Sequence, residues 1–227
     1  MGSLFIVATP IGNLKDITLR AIETLKGVDF ILAEDTRVTK NLLAHYEISK
    51  PMISYHKFSD LRKIQEIKNL LSEGKNLALV TDAGTPGISD PGEFLIRKII
   101  EDFPEVKTIP IPGSSALAAA ISVCGFTDSN FLFMGFPPPK KRKKFFEKIK
   151  NYDCPIVLYE SPYKLIKTLK ELSEAAGGNR EIFLAKEMTK IFEKFYRGTI
   201  DDVLNKLEGD AKNIKGEYVL IVNAAIN

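Results

Sequence analysis

Residues 80–93, VTDAGTPGISDPGE, combine types and spacing suited to holding a small molecule by its backbone. Gly84, Pro86 and Gly87 crowd into one short loop there. Glycine lets main chain approach a ligand with no Cβ between them, and proline fixes φ while removing a donor. The apolar run 77–80 before the loop reads as a buried strand. Asp90-Pro91-Gly92-Glu93 after it reads as a helix start: Asp90 as N-cap, Pro91 in the first turn, Glu93 reaching back as in a capping box. A rigid loop on the carboxyl end of a central strand is where open α/β sheets bind small molecules. A long tight turn without a ligand is the competing reading.

The elements around this loop alternate. Runs 4–8 (LFIVA), 30–33, 52–55, 77–80 and 106–110 read as strands. Between them helices are expected over 17–26 (Asp16 as N-cap, Gly27 at the end), through 42–46, from a Ser59 cap through Leu71, and over 91–100. That alternation predicts a mainly parallel sheet covered on both faces. A second punctuated turn, 110–115 (PIPGSS), leads into an Ala-rich helix through Cys124. Strands follow at 130–136, 156–159, 182–186 and 218–222, with helices to Ile149, from Ser161-Pro162 to Gly177-Gly178, and from Thr199 to Leu207. The expected organisation is two α/β domains, 1–113 and 114–227, with their glycine-rich turns facing a common cleft.

Bulk numbers narrow the class. A chain of 227 residues suits one large or two modest domains, and 44% hydrophobic with 27% charged content is that of a soluble globular protein. No apolar run approaches the ~18–20 residues of a membrane helix, and the N-terminus lacks a basic region ahead of its first strand, so neither an anchor nor a signal peptide is expected. Cys124 and Cys154 lack metal spacing and read as buried thiols of a reducing, cytoplasmic compartment; with only His45 and His56, no metal site is expected. A net charge of +3 does not by itself demand nucleic acid. Neither G-x-x-x-x-G-K-[ST] nor G-x-G-x-x-G follows the first strand, which ranks nucleotide binding last.

In order along the chain, VATPIGNLKDITLRA, AEDTR, LVTDAGTPGISDPG, PGSSA, FMGFPP, YESPYKL, AKEMTK, FYRGTI and GEYVLIV make it resemble the tetrapyrrole methylase superfamily, and within it the ribosomal RNA branch. The resemblance covers nearly the whole chain. Precorrin methylases carry G-x-G-P-G-D in the first loop and G-D-P in the fourth. Ala8-Thr9-Pro10-Ile11-Gly12-Asn13 and Gly84-Thr85-Pro86 depart from that pattern and argue against a corrin substrate. The resemblance implies two α/β domains with an S-adenosylmethionine cleft between them, 2′-O-methylation of a cytidine ribose in the decoding region of small-subunit rRNA, and a homodimer. It places Pro10, Ile11, Asp82, Gly84, Thr85 and Ile88 beside the cofactor from the first domain. Ser114, Ser115, Leu158, Tyr159, Ala185, Met188, Glu217 and Tyr218 would join them from the second. Hydroxyls and N–H groups at the helix start after Ser114-Ser115 suit a carboxylate. Ile88, Leu158 and Ala185 read equally well as core.

Methyl transfer from a sulfonium asks chiefly for alignment of acceptor oxygen, methyl and sulfur. A ribose hydroxyl also needs a proton acceptor. Candidates on strand ends are Asp35, Lys186 and Glu187 foremost, with Glu34 and His56; a surface ion-pair network among Arg37, Lys186, Glu187 and Lys190 is the alternative. For an RNA partner, the run Lys140, Lys141, Arg142, Lys143 and Lys144 after three prolines would grip phosphates, with Arg37 and His56 contributing. Tyr55, Phe133, Phe136 and Tyr163 are candidates to stack bases. With so short a basic stretch, the assembled small subunit is a more natural substrate than naked RNA. Two rivals remain: a methyltransferase of a tetrapyrrole or other small molecule, indifferent to residues 140–144, and a non-enzymatic ribosome-assembly factor that binds RNA without S-adenosylmethionine.

Overall fold

The computed structural model describes residues 1–56, 59, 61–126, 130–210 and 214–225. In the first sheet β1 (Ser3–Val7), β2 (Phe30–Ala33), β3 (Met52–Ser54), β4 (Leu77–Val80) and β5 (Lys107–Ile111) lie in the order β3-β2-β4-β1-β5, every pairing parallel. Alternate side chains point to opposite faces. Leu4, Ile6, Leu77 and Leu79 meet α3 (Leu61–Ser72) and α4 (Gly92–Asp102) through Ile64, Ile67, Leu71, Leu95 and Ile99. Val7, Ile31, Ala78 and Val80 meet α1 (Leu19–Gly27) and α2 (Thr36–His45) through Ala21, Leu25 and Leu43.

This division follows from the direction of each crossover. The β1–β2 and β2–β3 connections travel toward one edge of the sheet, and the β3–β4 and β4–β5 connections travel back. Right-handed crossovers in opposite senses must lay their helices on opposite faces. The sense reverses between the neighbours β1 and β4, and their carboxyl ends form the topological switch point where α/β sheets place ligands.

Helix starts in the first unit differ from expectation. A 3₁₀ turn, Leu14–Asp16, precedes α1, and Thr18 rather than Asp16 caps α1 by accepting the Ala21 N–H. The α2 helix begins at Thr36, directly off β2, because the Asp35 side chain accepts the Arg37 N–H. The Ser59 hydroxyl accepts the N–H of His56 at 2.9 Å, and the cap of α3 expected from Ser59 adjoins residues outside those described.

The chain divides into two compact units, Met1–Ser115 and Ala116–Asn227. The second holds α5 (Ala116–Cys124), β6 (Leu132–Gly135), α6 (Arg142–Ile149), β7 (Ile156–Glu160), α7 (Leu165–Ala176), β8 (Glu181–Lys186), β9 (Lys194–Thr199), α8 (Ile200–Glu208) and β10 (Tyr218–Val222). It is again α/β, but its sheet, β6-β7-β10-β8-β9, is mixed rather than mainly parallel. Only β6 and β7 pair parallel; β10 runs against both β7 and β8, and β9 runs against β8. The short turn 187–193 forces the last pairing, because a tight turn can join antiparallel strands alone. Strand β9 was not expected; Lys194, Tyr196 and Arg197 dilute its apolar pattern. One face of this sheet buries Phe146, Leu165, Leu169, Val203 and Leu207 of α6, α7 and α8. Among the described residues, no helix is long and apolar enough to cross a membrane, and no group of three or more His, Cys, Asp or Glu residues could hold a metal ion.

Candidate functional site

In the first unit the loops after β1, β4 and β5 are stitched together at the switch point. Thr9 N–H donates to Gly84 O at 2.9 Å and Gly84 N–H donates to Thr9 O at 3.0 Å, an isolated antiparallel bridge. The buried Thr9 hydroxyl donates to Thr81 O at 3.1 Å. The Thr85 hydroxyl donates to Ser114 O at 3.0 Å, and the Ser114 hydroxyl to Asp16 O at 3.2 Å. Gly84 has φ +86°, and a Cβ there would lie 3.4 Å from Ile11 Cγ2 and 3.7 Å from Ser114 O. Pro10, Ile11, Gly84, Thr85 and Ser114 are thereby brought together, with Asp82 and Ser115 adjacent in the chain.

The loop 84–91 is folded around one carboxylate. Asp90 Oδ1 accepts the N–H groups of Gly87 at 2.9 Å and Gly92 at 2.7 Å, while Oδ2 accepts that of Ile88 at 3.1 Å. The expected capping box is replaced by this arrangement: Pro91 is the N-cap of α4 without a side-chain bond, and Glu93 lies 3.8 Å from Arg97. Loop N–H groups without a strand partner need an acceptor, and Asp90 supplies three bonds where a helix cap would supply one or two.

An acidic edge adjoins the loop. Asp35 N–H donates to Asp82 Oδ1 at 3.0 Å, joining the ends of β2 and β4. Burial raises the Asp82 carboxyl above its ordinary range; burial and then the Asp82 charge do the same to Glu34. Asp35 goes the other way. Its carboxylate takes Arg37 Nε at 3.0 Å and Nη2 at 2.6 Å, and the Arg37 hydrogen bonds hold it at about 2. The structure therefore gives Asp35 the duties of N-cap and ion-pair partner, which make it a weak proton acceptor. Arg37 and His56 are both exposed.

In the second unit, the residues expected near a cofactor divide by burial. Leu158, Ala185 and Tyr218 are interior, and Met188 is nearly so. The Tyr218 hydroxyl is buried without a hydrogen-bond partner among the described residues, and burial pushes it to about 12. Half-buried Tyr159 packs edge-on against Phe133 and Phe136, and its hydroxyl accepts the Leu117 N–H of α5 at 3.1 Å. Burial raises this phenol too. Glu187 and Glu217 form a knot with Lys190. Glu187 Oε1 accepts Lys190 Nζ at 2.9 Å and Glu217 N–H at 2.8 Å, and Lys190 Nζ also reaches Glu217 Oε2 at 2.9 Å. Burial works to raise Glu187, but the Lys190 and Glu217 hydrogen bonds outweigh it and leave the carboxyl below its usual range. Lys186, at the end of β8, is half-buried.

The basic run does not act as one loop. Lys140, Lys141, Lys143 and Lys144 are exposed, but Arg142 opens α6 and turns inward. Its Nε donates to Glu171 Oε2 at 2.7 Å and its Nη2 to Thr168 Oγ1 at 2.6 Å; Thr168 in turn donates to the buried Glu160 carboxylate. Of the four aromatic candidates, Tyr55 is core, Phe133 is half-buried, and Phe136 and Tyr163 are exposed. The Glu160-Thr168-Arg142-Glu171 chain and the Thr9 clasp were missed by sequence reasoning; of the Lys190 knot, the Glu187 pairing was the expected ion-pair alternative and the Glu217 member was missed. YESPYKL held a hint of the first, since Glu160 ends an otherwise apolar strand.

The family model for tetrapyrrole (corrin/porphyrin) methylases matches residues 3–204. "Ribosomal RNA small subunit methyltransferase I" of Thermotoga maritima is 45% identical over 224 residues, covering 98% of this chain and 99% of the relative. The protein of that name from Mycoplasmopsis pulmonis is 48% identical over 223 residues, covering 97% of each. Among solved structures, the methyltransferase CobJ superposes with a TM-score of 0.72 at 16% identity, covering 99% of this chain and 95% of that one. Uroporphyrin-III C-methyltransferase from Thermus thermophilus, complexed with S-adenyl homocysteine, gives 0.67 at 16% identity, with 97% of each chain covered. At such identity these two structures speak to fold, and the fold agrees. With a family match over most of its length and relatives of this identity over nearly all of it, the chain belongs to the tetrapyrrole methylase family, in the group that includes ribosomal RNA small subunit methyltransferase I.

Proposed function

We propose that this chain is a cytoplasmic methyltransferase that carries the methyl group of S-adenosylmethionine to the ribose 2′-oxygen of a cytidine in the decoding region of small-subunit rRNA. The observation that carries the reading is the near-full-length identity to relatives bearing the small-subunit rRNA methyltransferase name. The substrate is the assembled small subunit, and the working form is a homodimer.

The residues of the first unit fit the cofactor. Main-chain groups and hydroxyls at Pro10, Ile11, Gly84, Thr85, Ser114 and Ser115 offer donors and acceptors, with apolar contact from Ile88. The carboxylates Asp82 and Glu34, both raised by burial, make the edge of this loop cluster negative, which favours a cationic ligand. When bound, the cofactor supplies an activated methyl on a neutral leaving group. The chain's own contribution is orientation: the Thr9–Gly84 bridge and the Asp90 bonds hold the loop before any ligand arrives. In the second unit Leu158, Tyr159, Ala185, Met188, Glu217 and Tyr218 are assigned to cofactor binding on the strength of the resemblance. Among the carboxylates considered as proton acceptor, Glu34 is better suited than Asp35 or Glu187, whose basicity is spent on Arg37 and Lys190. Lys186 is the non-carboxylate candidate.

The test is mass spectrometry of rRNA from a strain deleted for the gene, followed by restoration with purified protein and S-adenosylmethionine on small subunits from that strain. Loss and return of one ribose methyl is the expected result. Unchanged rRNA, with methyl transfer to a tetrapyrrole, would move the substrate to the other branch of the family.

A further inference from the structure

The second sheet gathers exposed apolar side chains and lysines at one end. β6 and β7 run parallel, β10 opposes β7, and β8 opposes β10, so β6, β7 and β8 all finish at the same end, where β9 and β10 begin. Phe136 follows β6 there, Tyr163 and Lys164 follow β7, the turn 187–193 follows β8, and Lys194 opens β9. With strands about 4.8 Å apart, this rim runs for roughly 19 Å.

Its apolar members are not buried anywhere in the chain. Tyr163 is 96% exposed, Ile191 95%, Phe192 76% and Phe136 55%. Apolar groups held in water with charges around them mark a surface that meets something else. The turn that carries Ile191 and Phe192 is also built to keep them out. Glu187 and Thr189 adopt left-handed φ of 49° and 67°, a costly conformation for residues with a Cβ. Lys190 ties the turn to Glu187 and Glu217, and Glu193 accepts the Thr189 N–H at 2.6 Å. Glu187, Glu193 and Glu217 are thus engaged in and beside the turn, and Glu160 is buried against Thr168, while Lys140, Lys141, Lys164 and Lys194 stay exposed.

We propose that this rim is a second grip on the RNA: single-stranded nucleotides stack on Phe192, Ile191 and Tyr163 while Lys164 and Lys194 hold the flanking phosphates. Exposed aromatics interleaved with lysines match bases and phosphates in alternation, which is how sequence-tolerant single-strand binding works. This rests on the rRNA reading above and extends the RNA surface beyond residues 140–144 to a turn that the basic pattern does not reveal.

The experiment uses the full chain, a fluorescently labelled single-stranded RNA oligonucleotide, and small subunits lacking the modification. Phe192→Ala and Tyr163→Ala should each weaken oligonucleotide binding by about 5- to 150-fold, the range of one lost stacking contact, with the salt dependence of binding intact. Lys164→Ala with Lys194→Ala should instead flatten that salt dependence, by a slope change of about 1 to 2. All variants should keep wild-type calorimetric affinity for S-adenosylmethionine, and KM for the subunit should rise. Variants that bind RNA and methylate subunits like the wild type would overturn the rim while leaving the rRNA reading in place. If Phe192→Ala changes the sedimenting species and not RNA affinity, the turn serves a second copy of the chain and the proposal falls. A wild type that neither binds the oligonucleotide nor methylates subunits would bring down the underlying reading itself.

Discussion

Thr9 and Gly84 exchange both of their main-chain hydrogen bonds, at 2.9 and 3.0 Å, although 75 residues separate them. The clasp closes the carboxyl ends of β1 and β4 in an antiparallel sense within an otherwise parallel sheet. It requires Gly84 at φ +86°, where a side chain is strained by about 1–2 kcal/mol before any contact is counted. Gly84→Val should therefore lower stability by at least that amount, since its side chain also meets Ile11, seen as an earlier thermal transition. Calorimetric titration with S-adenosylmethionine should show binding lost. A folded variant with wild-type affinity would contradict the loop assignment.

Asp90 carries three N–H groups of the same loop. Asp90→Ala leaves them to water and should cost about 2 kcal/mol in chemical denaturation. Asp90→Asn keeps one acceptor oxygen and should recover part of it. The cofactor affinity of both should fall in the same order, because the loop is no longer held ready.

Legibility in the sequence followed burial. Strands β1, β2 and β4 are enclosed on both faces and read as plain apolar runs, and α1, α3 and α4 show one apolar stripe each. Strand direction leaves no trace in a period-two pattern, so the mixed second sheet could not be told from a parallel one. Strand β9 sets half-buried Phe195 and Tyr196 between exposed Lys194 and Arg197, a pattern too polar to stand out and without a period of two. The loop around Gly84 was legible because glycine and proline have few other uses at that density. Arg142 was not: a basic residue inside KKRKK looks like its neighbours until α6 fixes which way it turns.

That inward turn separates two effects within one basic run. Arg142→Ala removes the buried guanidinium and leaves the Glu171 carboxylate and Thr168 hydroxyl without their donor, which should cost about 3–5 kcal/mol. Lys140→Ala with Lys141→Ala touches exposed residues and should change stability by no more than about 0.5 kcal/mol. The lysine pair should nevertheless reduce the salt dependence of RNA binding. Thermal melts and salt titrations of the two variants, run side by side, check both halves.

The Asp35 carboxyl, held at about 2 against an ordinary 3.8, fixes a sign for acid behaviour. A group depressed in the folded state contributes fully above its unfolded value. That contribution fades as pH falls through the folded value, when protonation releases Arg37. NMR titration should find Asp35 the late-protonating carboxyl, and Arg37→Ala should return it toward 3.8. An Asp35 that titrates normally in the wild type would mean that the pair does not persist in solution.

The placement of β10 sets a schedule for manufacture. It is the last described strand in the chain yet sits between β7 and β8, so the pairs β6–β7 and β8–β9 stay unjoined until residues 218–222 leave the ribosome. The first sheet carries no such debt, since its five strands all precede residue 112. Nascent chains should thus show an early protease-resistant half and a late one, the second snapping shut in a single step.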